Sequence, residues 1–344
     1  MKPRDLTLLV MHVSTRCDQT CEHCSIWRQG GKAGRELDAA GRETIIRDAH
    51  ALGARTILFT GGEPLLCDHI ERLARVAREL GLSVQIATNG ILLSRAAHWL
   101  AGIAHEIYVS LDGPQAVHDE LRGAGMYARL VAAVGVLAAM PVRPRLVARS
   151  VISRRNAGAL EDTVAAARQV GFDAISFLRV DTTSDAFGGD PAARAVHALA
   201  GSEIEALRQG IGRLARAGAL GGYVVEDEKK LLEMARFPGE GARTALAPRC
   251  NAPEWSSVVE ADGSIRPCFF QPPVPATASA TLREVRESAA YRDRLRTLGS
   301  GNQICASCVC PKHVAAGPSA VGARVAALLG RVLARSDRRE VSPS

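Results

Sequence analysis

Cys17-Asp18-Gln19-Thr20-Cys21-Glu22-His23-Cys24 sets three cysteines in the spacing C-x3-C-x2-C directly after an apolar run. A cubane [4Fe–4S] cluster takes four cysteine thiolates, so a loop offering three leaves one iron open to a ligand that is not protein. An open iron is a place for chemistry rather than for structure alone. Three cysteines with one histidine also make an accepted zinc set, and His23 or His12 would complete it. The spacing favours iron–sulfur, because C-x3-C is unusual in zinc knuckles and no C-x2-C partner lies nearby.

A second group lies far along the chain, where Cys250, Cys268, Cys305, Cys308 and Cys310 make up five of the nine cysteines. Residues 256–261 and 264–269 read as a β-hairpin with Asp262-Gly263 as its tight turn. The hairpin holds Cys250 and Cys268 at its two ends. Cys305 and Cys308 come from a loop after a helix at 291–298, so four thiolates can converge. A structural zinc is the competing occupant. Cys67 follows Leu65-Leu66 and reads as a buried, inert thiol.

The elements that must position these groups are read from apolar periodicity. Strands at 6–13, 55–60, 83–88, 107–111, 145–151 and 174–180 alternate with helices at 41–52, 69–81, 94–101, 127–139 and 158–170. Six strand–helix units argue for a parallel α/β barrel or its splayed, partial form, and a doubly wound open sheet fits the pattern as well. Polar and Gly-rich stretches stand at the strand ends: Gly61-Gly62-Glu63-Pro64, Thr88-Asn89-Gly90, Ser110-Leu111-Asp112-Gly113 and Arg149-Ser150. Barrels carry their active sites there. After residue 180 the pattern breaks into a polar loop at 181–189 and a helix at 203–217.

Taken in order with the cysteine loop, these stretches resemble the radical S-adenosylmethionine (SAM) superfamily, from about residue 6 to about residue 180. The resemblance implies a partial (β/α)6 barrel with a [4Fe–4S] cluster on Cys17, Cys21 and Cys24, whose open iron is chelated by the amino and carboxylate groups of SAM. One electron would then split SAM into methionine and a 5′-deoxyadenosyl radical that abstracts hydrogen from a substrate. Gly61-Gly62-Glu63-Pro64 matches the family's GGEP motif, whose backbone meets the methionyl amino group, the glycines permitting close approach. By itself that stretch would read as a plain turn into a helix. The resemblance also puts Asn89 in the SAM pocket, Ser110 and Asp112 on the ribose, Arg149 on the methionyl carboxylate and His23 near the adenine. Asp112-Gly113-Pro114, His118-Asp119 and Arg122-Gly123 resemble a run common in members with a SPASM domain, read here as a structured loop bordering the site, with His118 structural.

The C-terminal cysteines, with Gly263 shortly before Cys268, resemble the SPASM/twitch extension of many radical SAM enzymes. A full SPASM domain ligates two clusters. Five cysteines imply one auxiliary [4Fe–4S] cluster, on Cys250, Cys268, Cys305 and Cys308, with Cys310 spare or replacing one of the last pair. The expected division is a partial barrel at 1–200, a helical linker at 201–245, a small α+β twitch/SPASM-like domain at 246–315, and a helix and tail at 316–344. An auxiliary cluster would take the electron left on an oxidised substrate radical.

Composition bounds the rest. The 344 residues are 47% hydrophobic and 23% charged, enough for a sizeable core. With no signal peptide and no apolar run of about 18 residues, nine cysteines point to metal or catalysis in the cytoplasm rather than to disulfides. The net charge of +7 is spread along the chain and aromatics are only 4%, which argues against nucleic acid and leaves room for an anionic cofactor or substrate. The first strand starts too early for a fused peptide-recognition domain, which tilts the substrate toward a small biosynthetic molecule such as a sugar or cyclitol. The other reading is maturation of a ribosomally made peptide delivered by a separate protein. Ferredoxin or flavodoxin is the expected reductant. An amphipathic helix at 320–333 reads as a cover for an apolar edge rather than a membrane anchor. A non-enzymatic metal-binding regulator would leave the strand-end motifs unexplained.

Overall fold

The computed structural model describes residues 5–30, 36–236, 250–277, 280–298, 303–306 and 308. Cys310 and the expected helix at 320–333 lie outside the described residues. Six strand–helix units come first: β1 (Leu8–His12), α1 (Ala39–Ala51), β2 (Thr56–Thr60), α2 (Ile70–Glu79), β3 (Ser83–Thr88), α3 (Leu93–Ile103), β4 (Glu106–Ser110), α4 (Gln115–Arg122), α5 (Met126–Ala138), β5 (Arg145–Ile152), α6 (Leu160–Val170) and β6 (Ala174–Arg179). Then follow α7 (Pro191–Ala195), α8 (Gly201–Arg216), α9 (Glu228–Met234), α10 (Ala252–Trp255), β7 (Ser256–Val259), β8 (Ile265–Arg266), α11 (Leu282–Glu287), α12 (Ala289–Thr297) and α13 (Gln303–Ala306).

The strands form one sheet in the order β6-β5-β4-β3-β2-β1-β7-β8. β1 to β6 run parallel, each beside its sequence neighbour, and the sheet does not close, which is the partial barrel. The hairpin adds to the other edge: β7 lies parallel to β1, Leu8 opposite Ser256, and β8 returns antiparallel. Its turn is longer than Asp262-Gly263 alone suggests. Glu260 accepts from Gly263 N–H at 2.9 Å and donates to Ser264 O at 2.9 Å, and only Gly263 takes a positive φ, +89°. Asp262 keeps ordinary geometry and caps the turn through Ser264 N–H at 2.9 Å, so the glycine alone supplies the left-handed step.

The strands have two chemically different faces. Ile57, Phe59, Val84, Ile86, Ile107, Val109, Leu146 and Ala148 are buried in one core with Ile46, Leu73, Leu100, Leu137 and Val164 from the covering helices. The alternate positions, Gln85, Glu106, Tyr108, Ser110, Arg145 and Arg149, are half-buried on the inner face. That alternation differs from the two-sided burial expected of a parallel sheet, because the inner face of an open barrel has no helix layer over it.

One helix, α4, was expected as loop. Gly113-Pro114 reads as a turn, but a proline at a helix entrance pre-sets φ without costing a hydrogen bond, and Gly123 ends the helix by donating to Asp119 O at 2.8 Å. Among the described residues no single helix is long and apolar enough to cross a membrane.

Because β7 covers the free edge of β1, removing residues 250–344 should leave the β1 backbone unpaired. The truncated chain is expected to melt at lower temperature and to self-associate, read by thermal unfolding and size-exclusion chromatography.

Candidate active site

The cysteine loop is fastened to the sheet by backbone. Val13 N–H donates to Thr60 O at 2.9 Å, extending the β1–β2 ladder, and then Gly62 N–H donates to Ser14 O at 2.8 Å and Glu63 N–H to Arg16 O at 2.7 Å. The approach is too close for side chains. A Cβ on Gly61 would stand 2.3 Å from Ser14 O, and one on Gly62 2.1 Å from Arg16 O. Gly61 and Gly62 therefore answer first to the loop's own backbone, where the sequence suggested room for a ligand. From the other side Glu36 accepts from Thr15 N–H at 2.8 Å and from the Ser14 and Thr15 hydroxyls at 3.1 and 3.0 Å.

Glu63 is fully buried. Its Oε1 accepts from Leu65 N–H at 2.9 Å and Thr88 Oγ1 at 2.8 Å, and its Oε2 from Asn89 N–H at 2.8 Å. Burial pushes the carboxyl up to about 7, against three hydrogen bonds that favour its ionised form. Asn89 Nδ2 in turn donates to Asp18 Oδ1 at 2.6 Å, inside the cysteine loop. Glu63, Thr88 and Asn89 thus make a strut from β2 through β3 to the loop.

Asp112 is the second buried carboxylate. Oδ1 accepts from Val151 N–H at 2.8 Å and Oδ2 from Arg122 Nε at 2.6 Å. Its backbone N–H donates to His118 Nδ1 at 3.3 Å, and its carbonyl accepts from Asn156 Nδ2 at 2.9 Å. Burial is the largest single influence and would raise its pKa, but the Arg122 guanidinium, together with smaller contributions from His23, His118 and the Val151 N–H, holds it below the usual carboxylate range. The expected ribose contact therefore meets a side chain with no exposed surface and both oxygens engaged. Ser110 stays half-buried on the inner face, opposite Arg149 in the β4–β5 register. Arg149 lies 4.2 Å over the Tyr108 ring, with a buried Nε that has no hydrogen-bond partner among the described residues. Deeper in, Glu106 gathers Gln85, Tyr108 and Arg145 at 3.1, 2.6 and 2.6 Å.

All three loop cysteines are free thiols, Cys21 buried and the other two half-buried. Burial pushes Cys17 up to about 12 and raises Cys21 and Cys24 as well. Thiols held this way ionise only beside a strong positive charge, which metal supplies. Arg122 Nη1 already donates to Cys21 Sγ at 3.6 Å. Among the described residues no three His, Cys, Asp or Glu side chains converge on a single ion. Three thiols on one loop suit a four-iron cube, whose fourth iron then stays open. His12 is turned away from the loop, its Nδ1 on Glu260 at 3.0 Å and its ring on Phe269 at 5.1 Å. His23 meets His197 edge-on at 6.5 Å, and burial lowers its pKa to about 4. The donor set fits a [4Fe–4S] cluster.

In the second group, Cys268 is pushed up to about 11, mainly by burial, and Cys250 and Cys305 lie close enough to contribute. Gln271 Nε2 donates to Cys305 Sγ at 3.5 Å, and Cys308 N–H to Cys305 O at 3.4 Å. One residue joins the two groups. Phe187, in the loop after β6, accepts Ser25 N–H at 2.9 Å beside Cys24, while its ring packs 4.9 Å from Phe269, next to Cys268.

Residues 11–177 match the family model described as the radical SAM superfamily. The chain carries a radical SAM domain. Such a domain implies a [4Fe–4S] cluster and SAM. The chain is 34% identical over 119 residues to Fe-coproporphyrin III synthase of Methanosarcina barkeri, covering 34% of this chain and 30% of that protein. It is 30% identical over 167 residues to PqqA peptide cyclase of Gluconobacter oxydans, 47% of this chain and 46% of that protein. To mycofactocin maturase MftC of Mycobacterium ulcerans it is 30% identical over 166 residues, 47% and 44%. The matches thus span less than half of those relatives' length. In fold it is similar to Streptococcus suis SuiB bound to SAM, with TM-score 0.63, 16% identity, and 90% of this chain and 71% of that one covered. Native anSMEcpe with bound AdoMet gives TM-score 0.64 at 18% identity, covering 84% and 82%. Both likenesses are of fold: a partial barrel followed by a C-terminal region.

Sequence reasoning did not single out Glu36 or Phe187, nor the contacts of Thr88 with Glu63, of Asp18 with Asn89 and of Arg122 with Cys21. Each contact spans a long sequence separation. Thr88, Asp18 and Arg122 carried a signal only through the motifs they stand in.

Gly62→Ala should displace the Arg16 backbone beside Cys17. The variant is expected to reconstitute with less iron and a lower melting temperature, not merely weaker SAM binding, as read by iron analysis and calorimetry. Asp112 has a depressed folded pKa, so its stabilisation is present above its unfolded pKa of about 3.9 and lost as pH falls through the folded value. Asp112→Asn should cost about 3 kcal/mol at neutral pH by leaving Arg122 unpaired. Urea unfolding of the metal-free chain should then show the wild type losing more stability than the variant between about pH 5 and pH 3.

Proposed function

We propose that this chain is an oxidative radical SAM enzyme that removes hydrogen from an unactivated C–H bond, with Cys17, Cys21 and Cys24 holding the SAM-binding cluster and Cys250, Cys268, Cys305 and Cys308 holding one auxiliary [4Fe–4S] cluster. The observation that carries it is the junction at Phe187, which brings the second cysteine group against the loop of the first. When bound and reduced by a ferredoxin- or flavodoxin-type donor, the first cluster and SAM supply a 5′-deoxyadenosyl radical.

This chain's residues orient and enclose. Gly62, Glu63, Asn89 and Glu36 fix the loop, and Arg149, with an unspent buried donor on the inner face, suits an anionic group such as the methionyl carboxylate. Ser110 offers a hydroxyl one strand away. Phe187, Phe269 and Phe270 form an aromatic cluster with His12, in contact with both cysteine segments. A substrate that gives up one hydrogen atom, then one electron to the second site and one proton, undergoes a net two-electron oxidation.

A small biosynthetic intermediate is the substrate class we favour, and the tetrapyrrole-related names among the relatives are compatible with it. Peptide maturation is the second reading, favoured by the similarity to PqqA peptide cyclase and the mycofactocin maturase.

Anaerobic reconstitution should give about eight irons per chain, and about four in the Cys17/Cys21/Cys24→Ala variant, which should form no 5′-deoxyadenosine with dithionite and SAM. Cys268→Ala should still cleave SAM. Cleavage by the triple variant, or stoichiometric zinc in its second site, would overturn the respective assignment.

A further inference from the structure

Resting on the reading that the first loop holds a [4Fe–4S] cluster, we infer that Arg122 sets that cluster's reduction potential through its hydrogen bond to the Cys21 sulfur, with Asp112 as the opposing charge. Arg122 is 9% exposed and Asp112 0%, so both act through protein rather than water. The guanidinium divides its donors: Nε to Asp112 Oδ2 at 2.6 Å, Nη1 to Cys21 Sγ at 3.6 Å. A guanidinium keeps its charge throughout the working range.

Reduction adds one negative charge to the cluster and its thiolates. A cation on a ligating sulfur in a low-dielectric site stabilises that charge, and hydrogen bonds to sulfur are a recognised lever on cluster potential. Asp112, one contact further out, works the other way. The arrangement holds the potential between two opposed buried charges, so changes to the two residues should move it in opposite directions. Positioning of the loop has separate support: Glu22 N–H donates to Leu121 O at 3.3 Å, and Asn89 holds Asp18. A purely structural role for Arg122 predicts loss of iron without a change of sign between the variants.

The test is an EPR-monitored redox titration of full-length, anaerobically reconstituted wild type, Arg122→Met, Arg122→Lys and Asp112→Asn, with iron counted for each. The signal altered by adding SAM identifies the open-iron cluster. Arg122→Met should shift its midpoint to more negative potential, Asp112→Asn to more positive potential, and Arg122→Lys should fall between Arg122→Met and wild type. If Arg122→Met takes up no iron, the other two variants decide, because both keep a cation beside Cys21. Iron-loaded variants whose midpoints stay at the wild-type value, or shift in one common direction, overturn the inference and leave the cluster reading intact. A wild type that takes up no iron at this loop overturns both.

Discussion

Two backbone hydrogen bonds, from Gly62 N–H to Ser14 O and from Glu63 N–H to Arg16 O, hold the cysteine loop to the end of β2. The loop cannot order itself. Between β1 and α1 its only regular element among the described residues is a 3-10 turn at Ile26–Gln29. Three thiols that share one cluster must nonetheless be placed within a fraction of an ångström-scale tolerance, so neighbouring strands have to supply the rigidity. The contact surfaces at Ser14 and Arg16 leave no space for a Cβ, so the double glycine is required whether or not a ligand is bound.

The two buried carboxylates beside the loop are handled differently. Glu63 has three donors and no cation, and burial pushes it up to about 7; Asp112 has Arg122 and stays ionised. Both join separate strand ends to the loop, Glu63 by way of Asn89 and Asp18, Asp112 by way of Arg122 and Cys21. A third buried charge organises the far side. Arg194, fully buried, donates to Asp181 O at 2.7 Å and Ser184 O at 2.6 Å, which fixes the turn that presents Phe187. Cross-links of this kind are expensive to bury unless every polar atom is engaged, and these are engaged over long sequence separations.

The inner face of the sheet answers to a different constraint. Gln85, Glu106, Tyr108, Arg145 and Arg149 stand where a closed, ligand-free barrel would carry branched apolar residues. Stability alone does not call for them. Polar residues at positions that the core rules would fill with hydrocarbon mark functional surface. Arg149 is among them, stacked on Tyr108 with a buried Nε that has no hydrogen-bond partner among the described residues.

What the sequence determined by itself was whatever is local: three cysteines on one loop, apolar strand periods within two residues of their observed ends, and strand-end motifs in an order that identified the barrel. Strand-end placement followed from chain connectivity, since a parallel sheet puts those ends on one side. Tertiary structure decided what each motif residue does. Gly61, Gly62 and Glu63 serve the cysteine loop, and Asp112 is closed off by Arg122, because close approach and burial depend on which backbone lies opposite. The helix at Gln115–Arg122 was hidden behind a Gly-Pro that also spells a turn. The pairing of β7 with β1 joins residues about 250 positions apart, and no local pattern encodes it. Phe187 is the plainest case: an unremarked residue in a polar loop becomes the joint between two cysteine groups only when β6 delivers it there.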